Sequence, residues 1–263
     1  MRCLAAVALL MLATACEREV TAPQVAEVAA ADPQLTADLE LVRAARVLFA
    51  HGAVGANVLE GVARIPHSGL RLDASFAQVT LSQDGDPDAK IAAFEKLLDT
   101  APRPGADVAL MMLSSSDIGG NSDTKALFTH YREAIARLKR AHPQTAFVHV
   151  TAPLTVRDTG AKELVKRLTG LADEVAAANV RRDEYNGRMR AAFRGEPIFD
   201  LAAIEALWPD GRPERFVRGG ANHPSLVPAY SDDGQHLGRL GQDRAARALI
   251  HTLADALRGR PAH

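Results

Sequence analysis

The sequence predicts an α/β fold in which helices cover both faces of a parallel sheet. Three observations predict it: short apolar runs that suit strands buried on both faces, helical segments between those runs, and an amphipathic helix that closes the chain. The 263 residues favour one large domain, and 47% hydrophobic with 24% charged residues is the composition of a globular protein. Ligands of such sheets bind at the carboxyl ends of the strands, so the loops after the strands are the places to look for a site.

Three short apolar runs are the predicted strands, at residues 46–50, 108–113 and 146–151. Helical periodicity lies between and after them, at residues 88–98, 123–141, 161–178, 181–193 and 241–257. The last helix places Ala245, Leu249, Leu253 and Leu257 on one face. Strands that alternate with helices in this way indicate parallel pairing.

The first 15 residues have the pattern of an export signal. Arg2 precedes an apolar stretch at residues 4–12, and small residues follow that stretch. The stretch is too short for a transmembrane helix. Cys16 comes next, in a setting that resembles the bacterial lipobox, whose cysteine is lipidated and becomes the mature N-terminus. The alternative is cleavage after Ala15 without lipidation.

The segment that follows Cys16 indicates how the domain is attached to the membrane. Residues 16–39 are rich in Ala, Val, Pro and Thr without clear periodicity, which suits a flexible tether, and residues 40–263 form the predicted domain. A lipidated Cys16 would anchor this domain in a bacterial cell envelope. Glu17 stands where an aspartate is associated with retention at the inner membrane, so it favours the outer membrane, with the domain facing the periplasm.

The composition excludes several classes of site. A net charge of -1 and the lack of a basic cluster with interleaved aromatics give no reason to expect nucleic acid. Cys3 and Cys16 are the two cysteines and both precede the predicted domain, which therefore has no disulfide and no thiolate nucleophile. The nine histidines form no H-x-x-H or H-x-x-x-H pair. We therefore expect no metal and no cofactor.

The stretch SDDGQHL, ahead of the last helix, carries the strongest chemical signal. Asp233 and His236 are three residues apart, so both side chains can face the same way across a helix-start turn. A carboxylate that binds one imidazole nitrogen leaves the other nitrogen as a general base. The alternative is a helix-capping aspartate beside a surface histidine.

Together with this pair, the stretch LFAHGAVGAN at residues 48–57 resembles the SGNH, or GDSL-like, hydrolase family, particularly bacterial members whose first block reads H-Q-S-V-G. The resemblance covers roughly residues 47–257. It implies a three-layer α/β/α sandwich around a parallel sheet that hydrolyses an ester or O-acyl group, with Asp233 and His236 as the acid and base of a triad. Ala53 stands where the family has its nucleophilic serine.

The resemblance also implies oxyanion and ligand residues. In QDGDP, Gly85 matches the family's oxyanion glycine. In LSSSDI, Ser114 stands for the glycine of the G-x-N-D block, Ser116 for its asparagine and Asp117 for its aspartate. A serine hydroxyl can donate to an oxyanion but reaches less far than an amide. His51 and Asp117 border the site, and we expect them to contact a ligand.

Ala53 decides the expected activity, because a methyl group cannot form an acyl-enzyme. Ser114, Ser115 or Ser116 could replace the missing hydroxyl, although such serines more often satisfy loop amides. We therefore expect an exported protein of the ester or O-acyl hydrolase class with impaired catalysis, whose partners are a small-molecule or glycan ester and the membrane. The alternative is a non-catalytic envelope lipoprotein that binds an acyl, glycan or peptidoglycan-derived ligand.

Overall fold

The computed structural model of the protein describes residues 33–65, 76–81, 85–100, 105–157 and 173–259. In chain order, the described helices are α1 (Pro33–Ala44), α2 (Ala53–Ala63), α3 (Pro87–Thr100), α4 (Thr124–Ala141), α5 (Glu174–Ala192), α6 (Leu201–Glu205) and α7 (Arg239–Arg258). The described strands are β1 (Val47–His51), β2 (Phe76–Thr80), β3 (Val108–Met111), β4 (Ala146–Val150), β5 (Ile198–Phe199), β6 (Arg215–Arg218) and β7 (Ala221–Pro224). Short 3₁₀ turns form at Ser115–Asp117 and Pro228–Tyr230.

The first five strands form one parallel sheet in the order β2-β1-β3-β4-β5. Strand β1 lies inside this sheet and β3 beside it, with Val47 opposite Val108. All residues of β1 and β3 are buried, as expected for strands covered on both faces. Strands β6 and β7 form a separate antiparallel hairpin. The predicted α/β class with a parallel sheet is confirmed.

Helices pack on both faces of the sheet and make two hydrophobic cores. Alternate residues of a strand point to opposite faces, so Phe49 joins the core under α1, α2 and α7, while Leu48 and Ala50 join the core under α3, α4 and α5. Ala245, Leu249 and Leu253 of α7 are fully buried in the first core, as their spacing predicts. The result is the predicted three-layer sandwich.

The boundary of the domain differs from the prediction. Helix α1 begins at Pro33, inside the segment predicted to be a tether up to residue 39, and its Leu35 and Leu39 are buried in the core. Asp38 is buried as well and accepts hydrogen bonds from His251 and Arg258 of α7. The last part of the predicted tether is therefore domain. Cys16 and the predicted signal at residues 1–15 lie outside the described residues.

Two further predictions were wrong in detail. The break predicted between residues 178 and 181 does not exist, because α5 runs without interruption from Glu174 to Ala192. The apolar pattern lapses there since the buried face of α5 carries polar Asn179 and Arg182. Strands β2 and β5 were not predicted, because neither has the long apolar run that indicated the other strands. Most residues of β2 are exposed or half-buried at the sheet edge, and β5 has two residues. Residues 161–172, predicted as helix, lie outside the described residues.

Candidate functional site

The turn between β1 and α2 carries Ala53. The strand ends at His51, Gly52 is the residue before the helix, and Ala53 is the first helical residue. Strand therefore passes into helix within one residue, Gly52. Ala53 is exposed at this helix start.

The side chain of His51 packs in the core beneath the turn and does not face the crevice. Its side chain is buried, and the N–H at Nδ1 donates to the carbonyl oxygen of Gly52 at 2.8 Å. The ring lies 4.8 Å from that of Phe49, and a Cβ added at Gly55 would come within 2.7 Å of it. The predicted ligand contact by His51 is wrong, because the core encloses the side chain.

Asp117 is the centre of a buried polar cluster behind the turn. Its Oδ2 accepts from the amide of Ser114 at 2.6 Å and from Lys90 Nζ at 2.9 Å, and its Oδ1 accepts from the amide of Gly85 at 2.9 Å. The side chains of both Lys90 and Asp117 are fully buried. Asp117 therefore cannot contact a ligand, which corrects the predicted role. The amide of Gly85 points at a carboxylate, which contradicts its predicted role as an oxyanion donor.

Ser114 joins this cluster to the turn. Lys90 Nζ donates to Ser114 Oγ at 2.8 Å, and a Cβ added at Gly52 would lie 2.6 Å from the same oxygen. Only a glycine at position 52 allows this approach, because a Cβ does not come that close to another heavy atom without displacement. Ser114 therefore occupies the space that a side chain at position 52 would need.

The Asp233 and His236 pair forms as predicted. The N–H at His236 Nδ1 donates to Asp233 Oδ2 at 2.6 Å, and the amides of Gln235 and His236 donate to Asp233 Oδ1. These hydrogen bonds, led by the one from the imidazole, hold the pKa of Asp233 well below its usual range. Both side chains are about half exposed. With its proton on Nδ1, His236 offers Nε2 as a base.

The loop that carries this pair lies against the first turns of α2. The amide of Leu237 donates to Asn57 Oδ1 at 3.3 Å. Asn57 follows Ala53 by four residues, so the two side chains lie one above the other on the same face of the helix. The loop of Asp233 and His236 therefore packs against the first two turns of the helix that Ala53 begins.

A cavity of about 1230 Å³ opens at this end of the sheet. Ser116 and Asp233 both line it, so the candidate oxyanion hydroxyl and the acid of the pair share one space. Ser116 is exposed, which fits a group that meets a ligand. Ser115 also lines the cavity, whereas Ser114 is not among its lining residues.

Polar residues that the sequence did not single out fix the loop after β4, which forms one wall of this cavity. Asn186 binds the backbone of Ala152 through both amide atoms, and Asn179 does the same for Thr155. Arg182 donates to Thr155 Oγ1 and to the carbonyl of Ser115, which joins the loops after β4 and β3. The spacing of these three polar residues along α5 puts them on one face, which is a signal that could have been used.

Glu205 supports the same loop from the other side. Its Oε2 accepts from the amide of Leu154 at 2.6 Å, and burial raises the pKa of this carboxyl to about 8. Burial also lowers the pKa of Arg182 to about 10. The amide of Val156 then donates to the carbonyl of Gly234 at 2.8 Å. The loop after β4 therefore connects the buried polar residues to the loop that carries Asp233 and His236.

The described residues show no metal centre and no membrane span. Within them, no group of three or more His, Cys, Asp or Glu side chains is placed to hold a metal ion. No helix in these ranges is both long and apolar enough to cross a bilayer.

Comparison with known proteins gives the fold. A protein of Streptococcus pneumonia, described as a platelet activating factor, aligns over 86% of this chain and 95% of its own with a TM-score of 0.50 at 14% identity. A GDSL-like lipase from Parabacteroides merdae aligns over 81% of this chain and 96% of its own, with a TM-score of 0.48 at 14% identity. A lipolytic protein of the G-D-S-L family from Desulfitobacterium hafniense aligns over 79% of this chain and 99% of its own, with a TM-score of 0.47 at 7% identity. The chain shares its fold with the first of these proteins, whose TM-score is 0.50. At these identities the likeness extends to the fold alone.

Sequence comparison adds no match. No protein-family model and no curated protein matches the chain. The roles of individual residues therefore depend on the contacts described above. Those contacts pair Asp233 with His236, and the loop that carries this pair contacts the helix that begins at Ala53.

Proposed function

We propose that this protein is an exported, lipid-anchored member of the ester or O-acyl hydrolase class whose catalysis is impaired at the nucleophile. The observation that carries the proposal is the combination of an intact base with a missing hydroxyl. His236 is oriented by Asp233 at 2.6 Å, while the residue at the start of α2 is Ala53. The sequence signals at residues 1–15 and at Cys16 support export and anchoring in a bacterial cell envelope.

Any remaining reaction would use water as the nucleophile. His236 Nε2 would take a proton from water as its oxygen bonds to the acyl carbon, and the imidazolium would then protonate the leaving alkoxide. Ser116 lines the cavity, and its hydroxyl could donate to the oxyanion. Removal of a triad nucleophile costs about 10⁶ in turnover, and about 10³ to 10⁴ over water remains from the other groups.

A binding function is the second candidate, and Ala53 together with the open cavity favours it. A cavity of about 1230 Å³ has room for a ligand whether or not the ligand is hydrolysed. The partner would then be an acyl, glycan or peptidoglycan-derived molecule that is held at the envelope. The two candidates share one crevice and differ in turnover alone.

Hydrolysis of short-chain nitrophenyl esters separates these candidates and tests the mapping of the triad. We would compare the chain of residues 17–263 with His236→Ala, with Ala53→Ser, with Ala53→Ser combined with His236→Ala, and with Ala53→Gly. Ala53→Gly is the matched control, because it changes the same position without adding a hydroxyl.

We expect little turnover from the natural chain and from Ala53→Gly, and a gain of at least about 10² for Ala53→Ser. His236→Ala should abolish that gain. Residual turnover of the natural chain that falls with His236→Ala would favour the impaired enzyme, and no turnover would favour the binding protein. Robust turnover of the natural chain that His236→Ala leaves unchanged would contradict both.

A further inference from the structure

Helices α4 and α5 lie side by side over the second core. The rings of Tyr185 and Phe193 each lie 6.0 Å from the ring of Phe128, and all three side chains are buried. Near the start of α4, Thr124 Oγ1 donates to Glu184 Oε2 at 3.2 Å. These contacts hold the two helices together and leave one long side of each facing away from the sheet.

Cationic residues recur along this outer side. Lys125, Arg132 and Lys139 of α4 are seven residues apart, and so are Arg181 and Arg188 of α5. A spacing of seven is two turns of helix, so each series lies along one side of its helix. We use the name α4–α5 face for the surface formed by Lys125, Arg132, Lys139, Arg140, Arg181 and Arg188.

Four cations of the α4–α5 face have no acidic partner in the described part of the chain. Lys139 forms an ion pair with Glu196, and Arg181 forms one with Glu184 at 2.9 Å. No side-chain hydrogen bond or ion pair joins the other four to another described residue, and all four are exposed. The four are Lys125, Arg132, Arg140 and Arg188. Their charges are therefore available to a partner.

The helices on the other side of the sheet are balanced in charge. Helices α1, α2 and α7 together contain five Lys or Arg residues and five Asp or Glu residues, whereas α4 and α5 contain nine and four. The whole chain has a net charge of -1. Positive charge is thus concentrated on one surface of a nearly neutral protein, and such a surface attracts an anionic partner.

The spread of these cations indicates an extended partner. Lys125 and Arg140 are separated by about 22 Å along the axis of α4, and Arg188 lies on the neighbouring helix. A small anion needs several donors that converge on one point. Separate cations on two adjacent helices are better matched to a layer of many anionic groups.

From this arrangement we propose that the α4–α5 face binds an anionic lipid surface. The inference rests on the proposed function in one respect, because it uses the proposed lipid anchor at Cys16. Residues 17–32 separate that cysteine from the described domain, and an extended chain of this length reaches about 50 Å, several helix diameters. An anchor with this reach keeps the domain at a high local concentration near the bilayer, where individually weak charge contacts are sufficient.

Vesicle sedimentation with the chain of residues 17–263 tests the proposal. This chain has no lipid, so the α4–α5 face acts without the anchor. The vesicles contain phosphatidylcholine alone, or equal parts of phosphatidylcholine and phosphatidylglycerol. The test variant combines Arg132→Gln with Arg188→Gln. The matched control combines Arg239→Gln with Arg247→Gln, which removes the same charge from α7 on the other side of the sheet.

We expect binding to the anionic vesicles to be at least about tenfold tighter than to the neutral ones at low ionic strength, and to weaken as salt is added. A Lys or Arg near an anionic surface contributes roughly a fivefold gain, so the test variant should bind at least about fivefold more weakly. The control should lose much less, and both variants should keep the unfolding midpoint of the natural chain.

No binding to the anionic vesicles, equal binding to both kinds of vesicle, or an equal loss in the control would overturn the inference. Tighter binding to soluble dextran sulfate than to the vesicles would make an anionic polysaccharide the partner and would also overturn it. Mass spectrometry of the N-terminal peptide of the full chain, made in bacteria, decides the lipidation of Cys16 separately. The ester assay on Ala53→Ser decides the catalytic proposal, so these claims can fail independently.

Discussion

The two sides of the crevice are built in opposite ways. Asp233 and His236 are about half exposed, and their mutual contact is made within one short loop. On the other side, Lys90 and Asp117 are fully buried, and Ser114 fills the space beside Gly52. The pair proposed as base and acid is therefore formed in an exposed loop, while the side proposed to lack the nucleophile contains a buried ion pair.

The buried pair should make the nucleophile side the more sensitive to mutation. Lys90→Met leaves the carboxylate of Asp117 in the core without its cation, which should cost about 4 kcal/mol. Urea denaturation would measure the loss in the free energy of unfolding. His236→Gln, on the exposed side, should leave the unfolding midpoint almost unchanged.

A double variant sharpens this test. Lys90→Met with Asp117→Asn removes both charges and keeps an oxygen that can accept from the amide of Ser114. We expect it to be more stable than the sum of the two single variants, because each single change leaves one charge unpaired. A loss below about 1 kcal/mol for Lys90→Met would show that the pair behaves like an exposed one.

Glu205 should make the stability of the fold depend on pH in the neutral to alkaline range. Its folded pKa of about 8 lies above the ordinary value of 4.5, so its contribution to stability is fully present below pH 4.5 and is lost as the pH rises through 8. Glu205→Gln keeps an acceptor for the amide of Leu154 and cannot ionise, so we expect the midpoint of thermal unfolding to change less between pH 5 and 9. Glu174→Gln, at an exposed position, is the control and should retain the natural pH dependence.

The close approach of Gly52 and Ser114 should have the smallest effect. Gly52→Ala puts a Cβ 2.6 Å from Ser114 Oγ, which Lys90 holds in place, so we expect a loss of about 1 to 3 kcal/mol. Combining it with Ser114→Ala removes that oxygen and should restore most of the loss in urea denaturation. No rescue would mean that the backbone at position 52, and not the contact, determines the cost.

The same contrast explains what the sequence could predict. Strands β1, β3 and β4 are runs of buried apolar residues, and Asp233 and His236 are close in sequence, so local patterns were enough. Lys90 was missed because a lysine in a helix is normally exposed, and its burial depends on Asp117, which is 27 residues away. Gly85 was assigned wrongly for the same reason, since that distant carboxylate binds its amide.

The proposed function requires that His236 can reach a hydroxyl at position 53. Labelling with a fluorophosphonate, followed by mass spectrometry of the modified peptide, tests this most directly. We expect Ala53→Ser to be labelled at position 53, His236→Ala to abolish that labelling, and the natural chain to remain unlabelled. Labelling of the natural chain at Ser114, Ser115 or Ser116, or no labelling of Ala53→Ser, would contradict the account.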